Sequence, residues 1–164
     1  MLRKYMISKK ILDHLKKKKY KFEIIEHKTT YTAFDTAQTT RRKEKKIKPE
    51  EIVKALVVKA DKNYFLALVP ATKKLDKKKL SKLAGAKSLD LAKEAWMKKN
   101  LPGKVGAIPP FRELVKLDIF IDAILARQEN LYVGSGEYES SIKIPAKQYL
   151  KNEMPVKGNF AAKK

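Results

Sequence analysis

Lys54 lies inside the apolar run Ile52-Val53-Lys54-Ala55-Leu56-Val57-Val58, in a chain whose other lysines mostly sit among polar neighbours. Burying an unpaired ammonium is costly, so this group must reach solvent, find a partner or serve a site. From the run alone it could equally end a helix or sit on the wet face of a strand. Two glycine-containing segments could work beside it. In Gly103-Lys104-Val105-Gly106-Ala107-Ile108-Pro109-Pro110-Phe111, glycine lets the backbone approach a ligand closely while the paired prolines freeze the turn that follows. Such a loop presents carbonyls and N–H groups rigidly. In Tyr132-Val133-Gly134-Ser135-Gly136-Glu137, the glycines permit a tight or bulged turn between strands. Neither segment matches a P-loop or the G-x-G-x-x-G dinucleotide fingerprint in its strand-to-helix setting.

The absences are as informative. With no cysteine, the chain has no disulfide, thiolate zinc site or cysteine nucleophile. His14 and His27 are too few for a metal cluster, and no metal or other cofactor is expected. His27, closing a strand, could serve as a general base but is more simply a satisfied structural residue. No stretch reaches the ~18 apolar residues needed to cross a bilayer, and Met1 to Ile11 lacks a signal peptide's apolar core. A soluble, cytoplasmic protein without a membrane partner is expected.

Thirty-nine Lys and Arg against eighteen Asp and Glu give a formal charge of +21, more than solubility requires. The balance favours a polyanion, with nucleic acid first. Because most of the charge is lysine, binding should be salt-sensitive and directed at the phosphate backbone. The plainer explanation is a surface on which every exposed position has drifted to lysine.

Elements must hold these residues in place. Ile7, Ile11, Leu12 and Leu15 recur at helical spacing, with Lys16 to Lys19 favouring the helix C-terminus. Phe22 to His27 reads as a strand leading into a Thr-rich loop, Thr29 to Thr32, and Ala33 to Thr40 as a short helix. Pro49-Glu50-Glu51 has the proline and acids of a helix's first turn. Ala55 to Val58 and Tyr64 to Val69, separated by Asp61-Lys62-Asn63, read as a hairpin. Asp76 to Ala84 is a helix stopped by Gly85, and Leu91 to Leu101 a second, ending before Pro102-Gly103. Leu117 to Ile121 and Leu131 to Val133 read as strands, Ser141 to Ile144 as the partner of the latter, and Pro145 to Leu150 as a short helix. A length of 164 residues with 43% hydrophobic content suits one folded domain. We expect residues 1–154 to form it, with 1–20 a basic N-terminal helix and 155–164 a flexible basic tail. A monomer is the default.

The order of the motifs carries more than any one of them. His27-Lys28-x-x-Tyr31-Thr32-Ala33, Ile52 to Val57, Tyr64 to Pro70, Leu75-Asp76-x-x-Lys79-Leu80, Gly106 to Phe111 and Tyr132 to Gly136 together resemble the YbaK family. That family comprises the editing domain of bacterial prolyl-tRNA synthetases and its freestanding relatives. The resemblance runs from about Phe22 to Leu150. It implies an α/β (α+β) single domain with a curved, mixed, largely antiparallel sheet flanked by helices. It also implies an aminoacyl-tRNA deacylase, which hydrolyses the ester of a mischarged tRNA, such as Cys-, Ala- or Ser-tRNA of the proline type.

On this resemblance Lys54 and Gly106 are the catalytic positions. Tyr31, Thr32, Ile108, Pro109, Pro110, Phe111, Gly134, Ser135 and Gly136 would line the substrate site. The partner is the acceptor end of tRNA, with a synthetase as a possible second. An aminoacyl ester is already activated, so positioning, a water and oxyanion stabilisation suffice without a strong nucleophile. Asp122 matches an acidic position of the family and is expected to hold a turn or a hydrogen bond, not to serve acid/base catalysis. Three departures stand out. The stretch Thr39 to Lys48, with Arg41, Arg42, Lys43, Lys45 and Lys46, lengthens the usual spacing and would touch RNA backbone or form a solvated face. Arg112 stands where relatives carry glycine, and the helix Leu2 to Lys19 would be an RNA contact or a lid on the sheet. The rival function is a non-catalytic tRNA-binding module on the same fold.

Overall fold

Alternation and turn chemistry lay out most of the fold. In the computed structural model, which describes residues 7–27 and 47–164, β2 (Val53–Ala60) and β3 (Asn63–Pro70) form an antiparallel hairpin closed by Ala60 and Asn63. Asp61 takes the left-handed conformation at its turn, φ +56°. Phe65 to Val69 are all buried, because β3 lies inside its sheet with a core on each face. On its outer side β3 pairs in parallel with β6 (Asp118–Asp122), which pairs in parallel with β9 (Val156–Gly158). β5 (Leu89–Leu91) covers only Val58–Ala60 at the other edge, giving the order β5-β2-β3-β6-β9. A second, antiparallel sheet has the order β1-β8-β7, from β1 (Glu23–Glu26), β7 (Asn130–Gly134) and β8 (Ser140–Pro145). A parallel bridge between Ile52 and Tyr132 joins it to the foot of β2. β4 (Lys73–Leu75) pairs with β10 (Ala161–Lys163). The molecule is thus the mixed, mainly antiparallel α/β domain that the resemblance implies.

The larger core lies between the two main sheets and the N-terminal helix α1 (Lys9–Lys17), whose Ile11, Leu12 and Leu15 are buried in it. Ser8 caps that helix by accepting the Ile11 N–H at 3.3 Å. Within the described residues α1 is therefore a lid on the core. On the other face of the five-stranded sheet, α2 (Lys77–Ala84) packs Leu80 against Val58, Ala67 and Phe160. Asp76 caps α2, and Gly85, at φ +68°, ends it as the sequence predicts. The remaining helices are α3 (Glu94–Asn100), α4 (Arg112–Val115), α5 (Ala123–Ala126) and α6 (Ala146–Glu153). No helix among the described residues is long and apolar enough to cross a membrane.

Three expectations need correction. Pro49–Glu51 forms a single 3-10 turn and not the start of an α-helix. The β-branched residues after it favour a strand, and the buried Glu51 carboxylate accepts both the Lys48 N–H (3.1 Å) and the distant Asn130 N–H (3.2 Å). Leu91 ends a strand rather than beginning a helix, because Asp61 accepts the Lys87 and Ser88 N–H groups and steers that segment onto β2. The tail expected to be flexible is instead β9 and β10, with Phe160 fully buried between them. Asp122 anchors it by accepting the Phe160 and Ala161 N–H groups, each at 2.8 Å, and also caps α5 through the Ile124 N–H at 2.9 Å. Asp122 thus has the hydrogen-bonding duty expected of it. The expected helix Ala33 to Thr40 and the Thr-rich loop lie outside the described residues.

Candidate functional site

The site grows from the uncovered half of β2. The Val57 carbonyl accepts the Ala92 N–H at 2.8 Å, so odd-numbered residues of β2 turn their backbone groups outward, away from β3. β5 stops at Val58, and below it the outward N–H and C=O of Ala55 face a cavity of about 260 Å³. Val53, Ala55 and Val57 form its floor, Leu91, Ala92 and Met97 one wall, and Val105, Gly106 and Ile108 the other. The lining is apolar except for Lys54, whose ammonium is held on the Lys73 carbonyl. A smaller cleft of about 30 Å³ continues from it past Gly106 and Ile108 to Gly134, Ser140 and Ser141.

Two loops distant in sequence make the second wall. The end of β7 runs so close to the Gly106 loop that a Cβ on Gly134 would lie 2.5 Å from the Ile108 carbonyl oxygen and 2.7 Å from that of Ala107. Only glycine fits there. Gly136 N–H donates to the Ala107 carbonyl (2.7 Å), and Lys104 N–H to the Gly136 carbonyl (2.9 Å). The Tyr138 hydroxyl donates to the Val105 carbonyl at 2.7 Å, and Lys104 pairs with Glu137 at 3.0 Å. Behind the loop, the Tyr149 hydroxyl donates to the Pro110 carbonyl at 2.6 Å. The loop is therefore fastened at both ends, with Gly106 exposed at φ +92° between them.

The predicted site residues divide into those that line this space and those that support it. Lys54, Gly106 and Ile108 line the larger cavity, and Gly134 the smaller cleft. Pro109 and Pro110 are buried beneath the loop. Phe111 is fully buried in an aromatic cluster, with ring centroids 5.2 Å from His14, 5.7 Å from Tyr20 and 6.2 Å from Tyr149. The buried Ser135 hydroxyl bonds to the Ser140 carbonyl and hydroxyl, which holds the turn. Gly136 serves the loop clamp. Tyr31, Thr32, Arg41, Arg42, Lys43, Lys45 and Lys46 lie outside the described residues. His27 is buried, and its Nε2 lies 2.9 Å from the hydroxyl of Ser141, which lines the smaller cleft. Among the described residues no three His, Cys, Asp or Glu side chains gather to hold a metal.

Sequence reading missed Val53, Ala55 and Val57, although their alternation was the available signal, and it missed Leu91, Ala92 and Met97, which only the chain's return onto β2 brings near. Arg112 opens α4, where its backbone N–H donates to Glu153 at 2.8 Å and its guanidinium to the Met154 carbonyl at 3.2 Å. Glu153 also accepts from the Tyr20 hydroxyl (2.6 Å) and lies 3.2 Å from His14 Nε2, so this buried cluster ties α1 to α6.

Lys54 is half-buried, and alternation places its side chain on the opposite face of β2 from Val53 and Ala55. There its Nζ donates to the Lys73 carbonyl at 2.6 Å. Burial, with a smaller contribution from the nearby Lys164 ammonium, lowers its pKa below the ordinary 10.5. Between that lowered value and 10.5 the folded protein binds fewer protons at this site than the unfolded chain, so stability rises with pH across the interval and is unaffected by it at lower pH. Lys54→Met removes this dependence. Urea denaturation at several alkaline pH values should show the difference between parent and variant shifting in favour of the parent as pH rises; a difference that does not change with pH would contradict this account of the ammonium.

A family model for the aminoacyl-tRNA editing domain matches residues 27–151. The proline–tRNA ligases of two Xylella fastidiosa strains, Temecula1 and 9a5c, are each 31% identical to the chain over 88 residues, 54% of this chain. The chain spans only 16% of the length of these curated relatives. Among solved structures, the hypothetical protein APE2540 superposes with a TM-score of 0.81 at 19% identity, over 93% of this chain and 99% of that one. A candidate trans-editing enzyme for prolyl tRNA synthetase superposes with a TM-score of 0.79 at 21% identity, over 92% and 94%. At those identities the two structures speak for the fold alone.

Proposed function

Because the chain belongs to the aminoacyl-tRNA editing domain family, we propose that it is a deacylase acting on mischarged tRNA. The observation that carries this reading is the apolar cavity between the open edge of β2 and the clamped Gly106 loop. It accommodates a small amino-acid side chain such as that of alanine, cysteine or serine. The Ala55 backbone groups and the Gly106 loop supply hydrogen bonds for the ester. Water adds to the ester carbonyl carbon, the tetrahedral oxyanion draws on backbone N–H donors, and the bond to the ribose oxygen breaks as that oxygen takes a proton. The amino acid and intact tRNA leave. Tyr31 and Thr32 complete the amino-acid pocket in this reading, and the stretch Arg41 to Lys46 meets the tRNA backbone. In this reading the protein works as a monomer in the cytoplasm, alone or beside a synthetase.

Lys54 holds the phosphate or ribose of the terminal nucleotide, exchanging the Lys73 carbonyl for the ligand. Its present bond to that carbonyl, on the face of β2 away from the cavity floor, is the one observation that favours the second reading, a tRNA-binding module without turnover. A panel of Ala-, Cys-, Ser- and Pro-tRNA of the proline type, assayed at fixed salt with intact protein and Lys54→Ala, separates the two. We expect selective release of one wrong amino acid, slowed at least roughly tenfold in the variant if a charged contact to the substrate is lost. Salt-sensitive tRNA binding with no release from any member would establish the binding module instead.

A further inference from the structure

On the far side of Leu91 and Ala92, which wall the aminoacyl cavity, a second concavity of about 530 Å³ opens onto the surface. Tyr64, at the start of β3, and Trp96, on α3, meet in it with their rings stacked, centroids 3.7 Å apart and planes 5° from parallel. Both are half-buried, so each keeps part of its ring at the concavity. The exposed Lys59 places its ammonium 5.9 Å from the Tyr64 ring centre, and the exposed Lys93 lines the same space. The two carboxylates present are already engaged. Asp61 accepts the Lys87 and Ser88 backbone N–H groups, and Asp90 is paired with Lys77 at 2.7 Å. The lining thus joins an aromatic pair and two lysines to the Asp61 carboxylate and the Lys77-paired Asp90, on a chain of charge +21.

Stacked rings beside lysines suit a ligand with a flat π-face and a negatively charged backbone. Single-stranded nucleic acid has both, and its bases stack on aromatic side chains with little dependence on sequence. The shared wall adds a direction: a strand whose last residue enters the aminoacyl cavity crosses Leu91 and Ala92 from this concavity. We propose that the Tyr64–Trp96 stack is the platform on which an unpaired base near the 3′ end of tRNA stacks, with Lys59 and Lys93 meeting the adjoining phosphates. The inference rests on the deacylase reading for the identity of the strand.

Trp96 is the only tryptophan of the chain, so its fluorescence reports on the platform directly. The non-acylated RNA tetranucleotide ACCA, titrated into the intact protein, should quench that fluorescence saturably and more weakly at high salt. Trp96→Ala should weaken binding of non-acylated tRNA roughly tenfold, while Trp96→Phe, which retains a ring, should remain within about threefold of the parent. Lys59→Glu with Lys93→Glu, at two exposed positions that do not disturb the core, should weaken quenching by ACCA and flatten its salt dependence. Absence of quenching by ACCA would overturn the platform, as would equal tRNA affinity of the alanine and phenylalanine variants. Because these readouts use uncharged RNA, a protein that quenches but never deacylates sinks the enzymatic reading and spares the platform. One that deacylates without quenching does the reverse.

Discussion

Gly134→Ala is expected to destabilise the protein by about 1–3 kcal/mol, the range for overpacking a filled site, and to abolish deacylation. The new Cβ would stand 2.5 Å from the Ile108 carbonyl oxygen and 2.7 Å from the Ala107 carbonyl carbon and oxygen. These are backbone atoms of a loop fastened by the Gly136, Lys104, Tyr138 and Tyr149 hydrogen bonds, so no side chain can swing aside to make room. Either β7 moves away from the loop or the loop moves toward β2, and both displace Gly106 at the cavity wall. Gly85→Ala is the control. Gly85, unlike Gly134, holds the left-handed conformation at φ +68°, but a Cβ there meets nothing within 4 Å. It should cost only the local penalty of about 1–2 kcal/mol and leave the rate of release unchanged. Urea denaturation and the single-turnover rate on the preferred aminoacyl-tRNA check both variants. Parental activity in Gly134→Ala would show that the loop position does not govern the chemistry.

Ending the chain at Pro155 should lower Tm by roughly 10 °C or more, although residues 156–164 read as a polar, lysine-bearing tail. The truncation removes Phe160, fully buried against Leu80 and Ala67, whose loss alone is of the size of a Phe→Ala core change, about 3–5 kcal/mol. It also takes from the buried Asp122 carboxylate two of the three N–H groups it accepts, and from β6 and β4 their edge partners. Lys54 is affected too, because Lys164 goes with the tail and the Lys73 carbonyl that holds its ammonium belongs to the strand paired with β10. Differential scanning calorimetry of the truncated chain and of Phe160→Ala measures the effect. A truncated protein melting with the parent would return these residues to the status of a frayed end.

The elements that were legible in the sequence are those whose signals are local. The β2–β3 hairpin rests on apolar runs on either side of Asp61-Lys62, the helix from Lys77 on Asp76 and Gly85 at its two ends, and β7 and β8 on alternation across Gly134 to Gly136. Each is written within one short continuous stretch of chain, where turn chemistry, capping and periodicity act. Readings failed where a distant partner overrides the local preference. Pro49-Glu50-Glu51 has a helix's opening composition, but Glu51 bonds to Asn130, 79 residues away. Leu91 belongs to a strand because β2 offers it an edge, and Phe160 is a core residue because Asp122, 38 residues earlier, receives its N–H.

The same division runs through the candidate site. Composition and motif order by themselves determined the absence of a cysteine thiol and the editing-domain family, since these depend only on which residues are present and in what order; the charge of +21 favoured a polyanionic partner without fixing it. Gly106, Ile108 and Gly134 were marked as site residues for the same reason. Tertiary structure decided what each of them does. Only the approach of β7 to the Gly106 loop explains why Gly134 must lack a side chain, and only packing puts Phe111 behind the loop instead of in the pocket. Strand register decided the face on which Lys54 lies, and the return of residues 89–97 onto β2 decided that Leu91, Ala92 and Met97 would wall the cavity and that Trp96 would meet Tyr64. Side-chain type is a property of one position, whereas a wall, a face or a stacked pair is a relation between positions that only the closed chain brings within contact distance.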